Sequence, residues 1–229
     1  MKLRLAKLAL FAAIATSLFA GAAQAAQCGN NAGGFERWKA QFAAEAKANG
    51  IGNRGLQALA GTSYATKTIY ADRNQKSFNY SLQKFMQVRG SNAIISQGKS
   101  RKRANAKFFA ALERKYGVPA GPLLAIHGME TGFGRFMGNA NVVSAIATLA
   151  YDCRRSAFFT EHLYAALQLV DRGVLSSSTR GAMHGEVGHT QFLPGSVLRY
   201  GVDGDTGNGK GAVSGSQGAM HPADDAPGR

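Results

Sequence analysis

A mainly helical domain is what this sequence predicts, and two observations carry the prediction. Apolar residues return every third or fourth position through successive segments between Phe35 and Val170, which is the spacing of one helix face. Few segments alternate apolar and polar residues at period two, so little strand is expected.

The chain has 229 residues, and the first 25 read as an export leader. Lys2, Arg4 and Lys7 precede an apolar run from Leu8 to Phe19, and Ala23, Gln24 and Ala25 form a small-x-small cleavage site. The run is shorter than the roughly 20 residues that span a bilayer, which favours a cleaved leader over an anchor and a periplasmic location. Removing those 25 residues leaves 204, enough for one well-cored domain, expected to be monomeric. Three of the 27 Lys and Arg residues and none of the 13 acidic ones lie in the leader, so 24 positive charges face 13 negative ones, a net of +11. In an exported protein such a surface meets anionic wall polymers and lipid headgroups, so peripheral envelope association fits and nucleic acid is not an expected partner. A basic nucleic-acid-binding protein would fit the charge but not the leader. The cluster Lys99, Arg101, Lys102, Arg103 and Lys107 reads as a solvated helix face.

Taken in order, Phe35, Trp38, Phe42 and Ala46 mark a first amphipathic helix with Gly50 as its stop, and Leu56, Leu59 and Ala60 a short second one. Ser63 to Ser77 is polar and assigns itself to no element. Phe78, Leu82, Phe85 and Met86 suggest a third helical stretch. Phe108, Phe109, Leu112 and Tyr116 place a fourth over about Ala104 to Tyr116, punctuated by Gly117 and Pro119. A further helix starts near Pro122, since proline suits a first turn, and runs through Met129. Val142 to Tyr151 and Ala157 to Val170 follow, separated by Arg154 and Arg155. From Gly201 the composition turns to Gly, Asp, Ser and Asn, with no means of burying a core. The domain is therefore set at 26–205 and residues 206–229 are read as a disordered tail.

Cys28 and Cys153 are the two cysteines. An oxidising compartment makes their pairing the expectation, with two separate thiols or a lipidated Cys28 as the alternatives.

On the helix that begins near Pro122, Leu123, Ile126, His127 and Glu130 fall at i, i+3, i+4 and i+7, which puts Glu130 on an apolar stripe. Desolvation there would raise the carboxyl pKa, as a general acid near neutral pH requires. Gly128 and Gly132 leave room for a ligand, and Phe133 and Phe136 offer faces for a sugar ring. The plainer alternative is a helix-end glutamate that reaches solvent.

The segment GMETGFGRFMG from Gly128 to Gly138, followed by ATLAYDCRR from Ala147 to Arg155, resembles the membrane-bound lytic murein transglycosylase B family. Supporting motifs are YADRNQ from Tyr70, KYGVP from Lys115 and GHTQFLPGS from Gly188. The resemblance covers roughly Cys28 to Asp205. It implies a lysozyme-like α+β fold with little strand, acting on peptidoglycan glycan strands. It further implies that Glu130 protonates the bond between N-acetylmuramic acid and N-acetylglucosamine, then serves as base on the muramyl C6 hydroxyl, giving a 1,6-anhydro sugar. By the same resemblance Gln191 would bond a sugar substituent or the carboxylate, with a loop-ordering amide as the alternative. Met183 and the backbone near Gly181 would line the glycan groove. Glu186, the other acid in reach, is read as a structural loop residue.

His127, His184, His189 and Gly195 depart from the family pattern. So does the segment after Asp205. Asp203 and Asp205 begin a calcium-loop-like pattern, but Asn208 and Gly209 come one place late and Ser214 stands where a glutamate is needed. No metal or cofactor is expected. The altered segment keeps a second functional reading open, an inactive or truncated remnant that only binds murein.

Overall fold

The computed structural model describes residues 26–75 and 79–202. After a 3-10 turn at Ala32–Gly34 come ten helices among the described residues: α1 (Phe35–Ala48), α2 (Asn53–Ala60), α3 (Thr66–Arg73), α4 (Leu82–Val88), α5 (Ser91–Ala104), α6 (Ala106–Tyr116), α7 (Ala120–Thr131), α8 (Val142–Tyr151), α9 (Ser156–Asp171) and α10 (Pro194–Tyr200). Two-residue strands, β1 (Ala140–Asn141) and β2 (Arg180–Gly181), pair antiparallel with Ala140 opposite Gly181. The expected helical class with little strand holds. The leader, Phe78, Asp203, Asp205 and the tail lie outside the described residues.

α8 is the centre of the fold, because all ten of its residues are buried. A helix apolar on every side must be wrapped, and α9, α3, α2 and α1 do the wrapping. The hydroxyls of Ser144 and Thr148 take partners from the segment before α3. Ser144 Oγ accepts from Ser63 N at 3.3 Å and Thr148 Oγ1 from Ala65 N at 2.8 Å, which holds the start of α3 against the core. Asn141 caps the helix, its Oδ1 accepting from Ser144 N at 2.9 Å. The stripe read on α1 is the buried one, with Phe35, Trp38, Phe42 and Ala46 packed inward. Phe35 and Trp38 stack at 5.6 Å, and Tyr151 of α8 meets Phe35 edge-on at the same distance.

Helices α5, α6 and α7 gather around a second, smaller core of Ala120, Leu124 and Phe133, flanked by Ile94 and Phe109. Here the expected stripe is wrong by register. The buried face of α7 is Ala120, Leu124, Gly128 and Thr131, whereas Ile126 is 38% exposed and Glu130 is exposed rather than core-facing. α7 is apolar nearly all round its first three turns, so the period alone does not choose the inward side. The unassigned polar stretch holds α3. α5 carries four of the five basic residues read as a solvated face; all five are exposed, Lys107 among them on α6.

Cys28 and Cys153 form a disulfide with Cα atoms 5.0 Å apart. Gly29 N donates to Tyr151 O at 2.9 Å and Cys153 N to Gly29 O at 3.2 Å, so the segment before α1 is stitched to the end of α8 beside the disulfide.

Next to that stitch, Asp72 on α3 is buried and receives the guanidinium groups of Arg154 and Arg155, while Asp152 receives that of Arg73. The arginines keep much of their surface in solvent, so the acid side bears the burial. Asp72→Asn is expected to lower stability by about 2 kcal/mol, less than for a pair buried on both sides. Urea unfolding at pH 7 checks it, and an unchanged midpoint would show that the cluster adds nothing.

Candidate active site

The segment from Gly128 to Gly138 explains itself in space. α7 ends at Gly132, whose φ of +56° is the left-handed conformation a helix C-terminus favours. Gly132 N donates to Gly128 O at 3.0 Å and Phe133 N to His127 O at 3.1 Å, which folds Phe133 back along the helix it has just left. Gly128 makes that possible, since a Cβ there would lie 2.4 Å from Ile94 and 2.9 Å from the Phe133 ring. Phe133 is consequently 6% exposed, with the Arg101 guanidinium 4.8 Å above its centroid. It is a core residue, not a face for a sugar; Phe136, 72% exposed, is the open ring of the pair.

Glu130 sits one turn before that reversal. Its carboxyl makes no hydrogen bond or ion pair among the described residues. One side is open to solvent, and the remaining surroundings desolvate it enough to raise its pKa above the ordinary 4.5. Arg89 at the end of α4 opposes that rise and Glu186 adds to it. Partial burial thus gives the direction expected from the sequence, without the apolar stripe invoked to explain it.

Glu186 belongs to the loop after β2. Burial pushes its pKa up, but the bonds from His184 outweigh burial and the net shift is downward. His184 N donates to Glu186 Oε2 at 3.1 Å, and His184 Nδ1 lies 3.4 Å from Oε1. The two nearby carboxyls are therefore driven apart: Glu130 towards the acid form, Glu186 towards the fixed anion.

Gln191 has φ +51° and its Nε2 donates to Gly188 O at 2.8 Å, which is the loop-ordering arrangement rather than a bond to Glu130. Gly181 is buried where β1 and β2 meet, and a Cβ there would fall 2.1 Å from Glu186 O. It is a packing glycine and not a groove lining. Met183 is 40% exposed and does line a groove. A depression of about 450 Å³ is bounded by Thr66, Lys67, Tyr70, Ala71 and Met183, and a second one sharing Thr66, Lys67 and Met183 extends to Asn139, Asn141 and Ser144. Thr68 Oγ1 fixes its edge by donating to Met183 O at 2.7 Å. Lys67, Asn141 and Ser144 were missed, because the groove arises where α3, α8 and two loops meet and no local pattern marks it. Glu130 is not among its lining residues; the loop from Met183 to Glu186 runs from the groove to the carboxyl's surroundings.

This arrangement is the lysozyme-like helical fold of the lytic transglycosylases. The chain resembles SltB3 from Pseudomonas aeruginosa, solved in complex with NAG-anhNAM-pentapeptide, at 35% identity and a TM-score of 0.72 over 80% of this chain and 49% of that one. SltB1 from the same organism matches at 30% identity and a TM-score of 0.67, over 75% of this chain and 59% of that one. Membrane-bound lytic murein transglycosylase B of Escherichia coli is 36% identical over 90 residues, 38% of this chain and 25% of that protein. Residues 34–218 match the family described as the transglycosylase SLT domain, and the chain belongs to that family. It spans about half the length of the solved relatives or less than two thirds of it, and in its match a quarter of the curated one.

Proposed function

We propose that this protein is a lytic murein transglycosylase of the cell envelope, exported to the periplasm, that cleaves the β-1,4 bond after N-acetylmuramic acid with Glu130 as its one acid and base. The observation that carries the reading is the Glu130 carboxyl, without a hydrogen-bond or ion-pair partner among the described residues and with its raised pKa, on the motif helix of an SLT-family fold. The protonated carboxyl gives its proton to the glycosidic oxygen as the bond to muramyl C1 breaks. The C6 hydroxyl oxygen then bonds to C1 and returns its proton to the same carboxylate. Protons balance, and no water enters the product. A conventional glycosidase needs a second carboxylate as nucleophile or to activate water. Glu186 is tied to His184 by both oxygens, which suits a fixed charge and not either of those roles.

Digestion of purified peptidoglycan, read by mass spectrometry, tests this: 1,6-anhydromuropeptides support it, reducing-end muramic acid indicates a hydrolase, and no product favours the murein-binding remnant. That second reading is motivated by the altered pattern after Asp205, where Asn208 and Gly209 come one place late and Ser214 stands in place of a glutamate.

The electrostatics predict paired opposite shifts. The acid form of Glu130 must be present to start, so kcat/KM falls as pH rises through its pKa. Glu186→Gln removes a like charge, lowers that pKa and moves the alkaline limb to lower pH; Arg89→Gln removes a cation and moves it to higher pH. Limbs that stay in place in both variants would dissociate the profile from Glu130.

A further inference from the structure

We propose that His127 and His189 form a positioning clamp that holds the Glu130 end of α7 against the loop bearing Gln191. The proposal rests on Glu130 being the acid and base. His127 Nε2 and His189 Nδ1 are 2.8 Å apart, with the rings 4.8 Å apart and nearly perpendicular. One proton lies between them, so one ring must offer a bare nitrogen.

The clamp has a second component in Thr131, the residue after Glu130 and 0% exposed. Its hydroxyl faces His189 O at 2.9 Å and His127 O at 3.2 Å as donor and accepts from Gly134 N at 3.0 Å. Gly134 has φ +87°, and a Cβ there would lie 2.6 Å from His189 Cε1, so the imidazole rests directly on the backbone of the motif. Among the described residues, Phe133 at φ +61° and Gln191 at φ +51° are the non-glycine positions in the left-handed region. Both flank the clamp. Strained backbone of this kind persists where its surroundings over-determine it, and the two imidazoles with Thr131 supply that constraint.

The clamp responds to protonation. The charged or titratable groups that face His127 are His189 from the loop and Arg101 from α5, and the Phe133 ring covers another side at 5.3 Å. Burial first, then the charges of His189 and Arg101, lower the pKa of His127 to about 4, which keeps it neutral under ordinary conditions. Below that His127 gains a second ring proton, and its positive charge beside those of His189 and Arg101 pushes α7 from the loop. The sequence had marked both histidines as departures from the family pattern. Their juxtaposition, 62 residues apart in the chain, makes the departure a matched pair.

The test uses the full chain with His127→Phe, which keeps the ring shape and loses the bond, and His127→Gln, whose amide donates to or accepts from His189 whatever its charge. For His127→Phe, kcat is expected to fall roughly tenfold or more with KM changed less than about twofold, since misplacing a reacting group costs rate more than binding. His127→Gln is expected to stay near the wild-type kcat at pH 7 and to lose the wild type's acid limb. A wild-type kcat in His127→Phe, or a wild-type acid limb in His127→Gln, overturns the clamp. Circular dichroism establishes that each variant is folded, and if His127→Phe is not, the profile of His127→Gln decides. Glu130→Gln is assayed alongside. An inactive Glu130→Gln with a wild-type-like His127→Phe removes the clamp alone; turnover by Glu130→Gln, or none by the wild type, removes both readings.

Discussion

Glu130→Gln is expected to lose at least about a thousandfold in turnover while it folds and binds murein as before, because general acid and base assistance together contribute on that scale. The amide keeps the size and polarity of the side chain but neither gives nor takes the proton. The carboxyl has no hydrogen bond or salt-bridge partner among the described residues, so the substitution orphans nothing. Stability should change little, and in the upward direction if at all, since a partly desolvated acid with a raised pKa is replaced by a neutral group. Release of soluble muropeptides, measured beside the thermal midpoint, separates a chemical from a structural loss. A variant that retains turnover refutes the assignment of Glu130, and one that loses both activity and fold would place the residue among the structural ones.

The other large effect is on stability. Replacing both cysteines by serine is expected to cost about 5 kcal/mol in the chain-entropy model. The loop that the bond closes spans 125 residues, and the flanking backbone bonds of Gly29 and Cys153 hold the two ends side by side. For a domain of this size such a loss corresponds to a fall of roughly 10 °C in the thermal midpoint. The disulfide pins the entry to α1 and the exit of α8, whereas Glu130 sits on α7, which packs with α5 and α6 around the second core. Activity at low temperature should therefore survive the change. An unaltered midpoint in the double variant, or in wild type under reductant, would contradict this account.

How far the sequence reached depends on what kind of residue marks each feature. α1 was readable because Phe35, Trp38, Phe42 and Ala46 are large or apolar against polar neighbours, so the inward face announces itself. The bounds of α8 were readable because its apolar run is continuous and bracketed by Asn141 and Asp152. α7 was found but turned the wrong way. Its buried positions include Gly128 and Thr131, which carry no apolar signal, and their inward placement depends on Phe133 folding back from outside the helix. The same reversal undid the stacking role given to Phe133. Gln191 and Gly181 could be matched to motif positions, but a bond to Gly188 and contact with Glu186 O are properties of the folded loop. The groove around Lys67, Asn141 and Met183 joins segments more than 40 residues apart, and no periodicity records that. What the motif did give was the place of Glu130 on its helix, and the spacing of apolar residues gave the class of helical fold.

The claim on which all else depends is that the sugar's own C6 oxygen, and not water, takes the place of the leaving group. Digestion of purified peptidoglycan in water enriched in oxygen-18 addresses it in a single measurement. The account predicts muramyl products that are anhydro and free of the label from the first time point. Label at muramyl C1 would contradict it and make the protein a hydrolase.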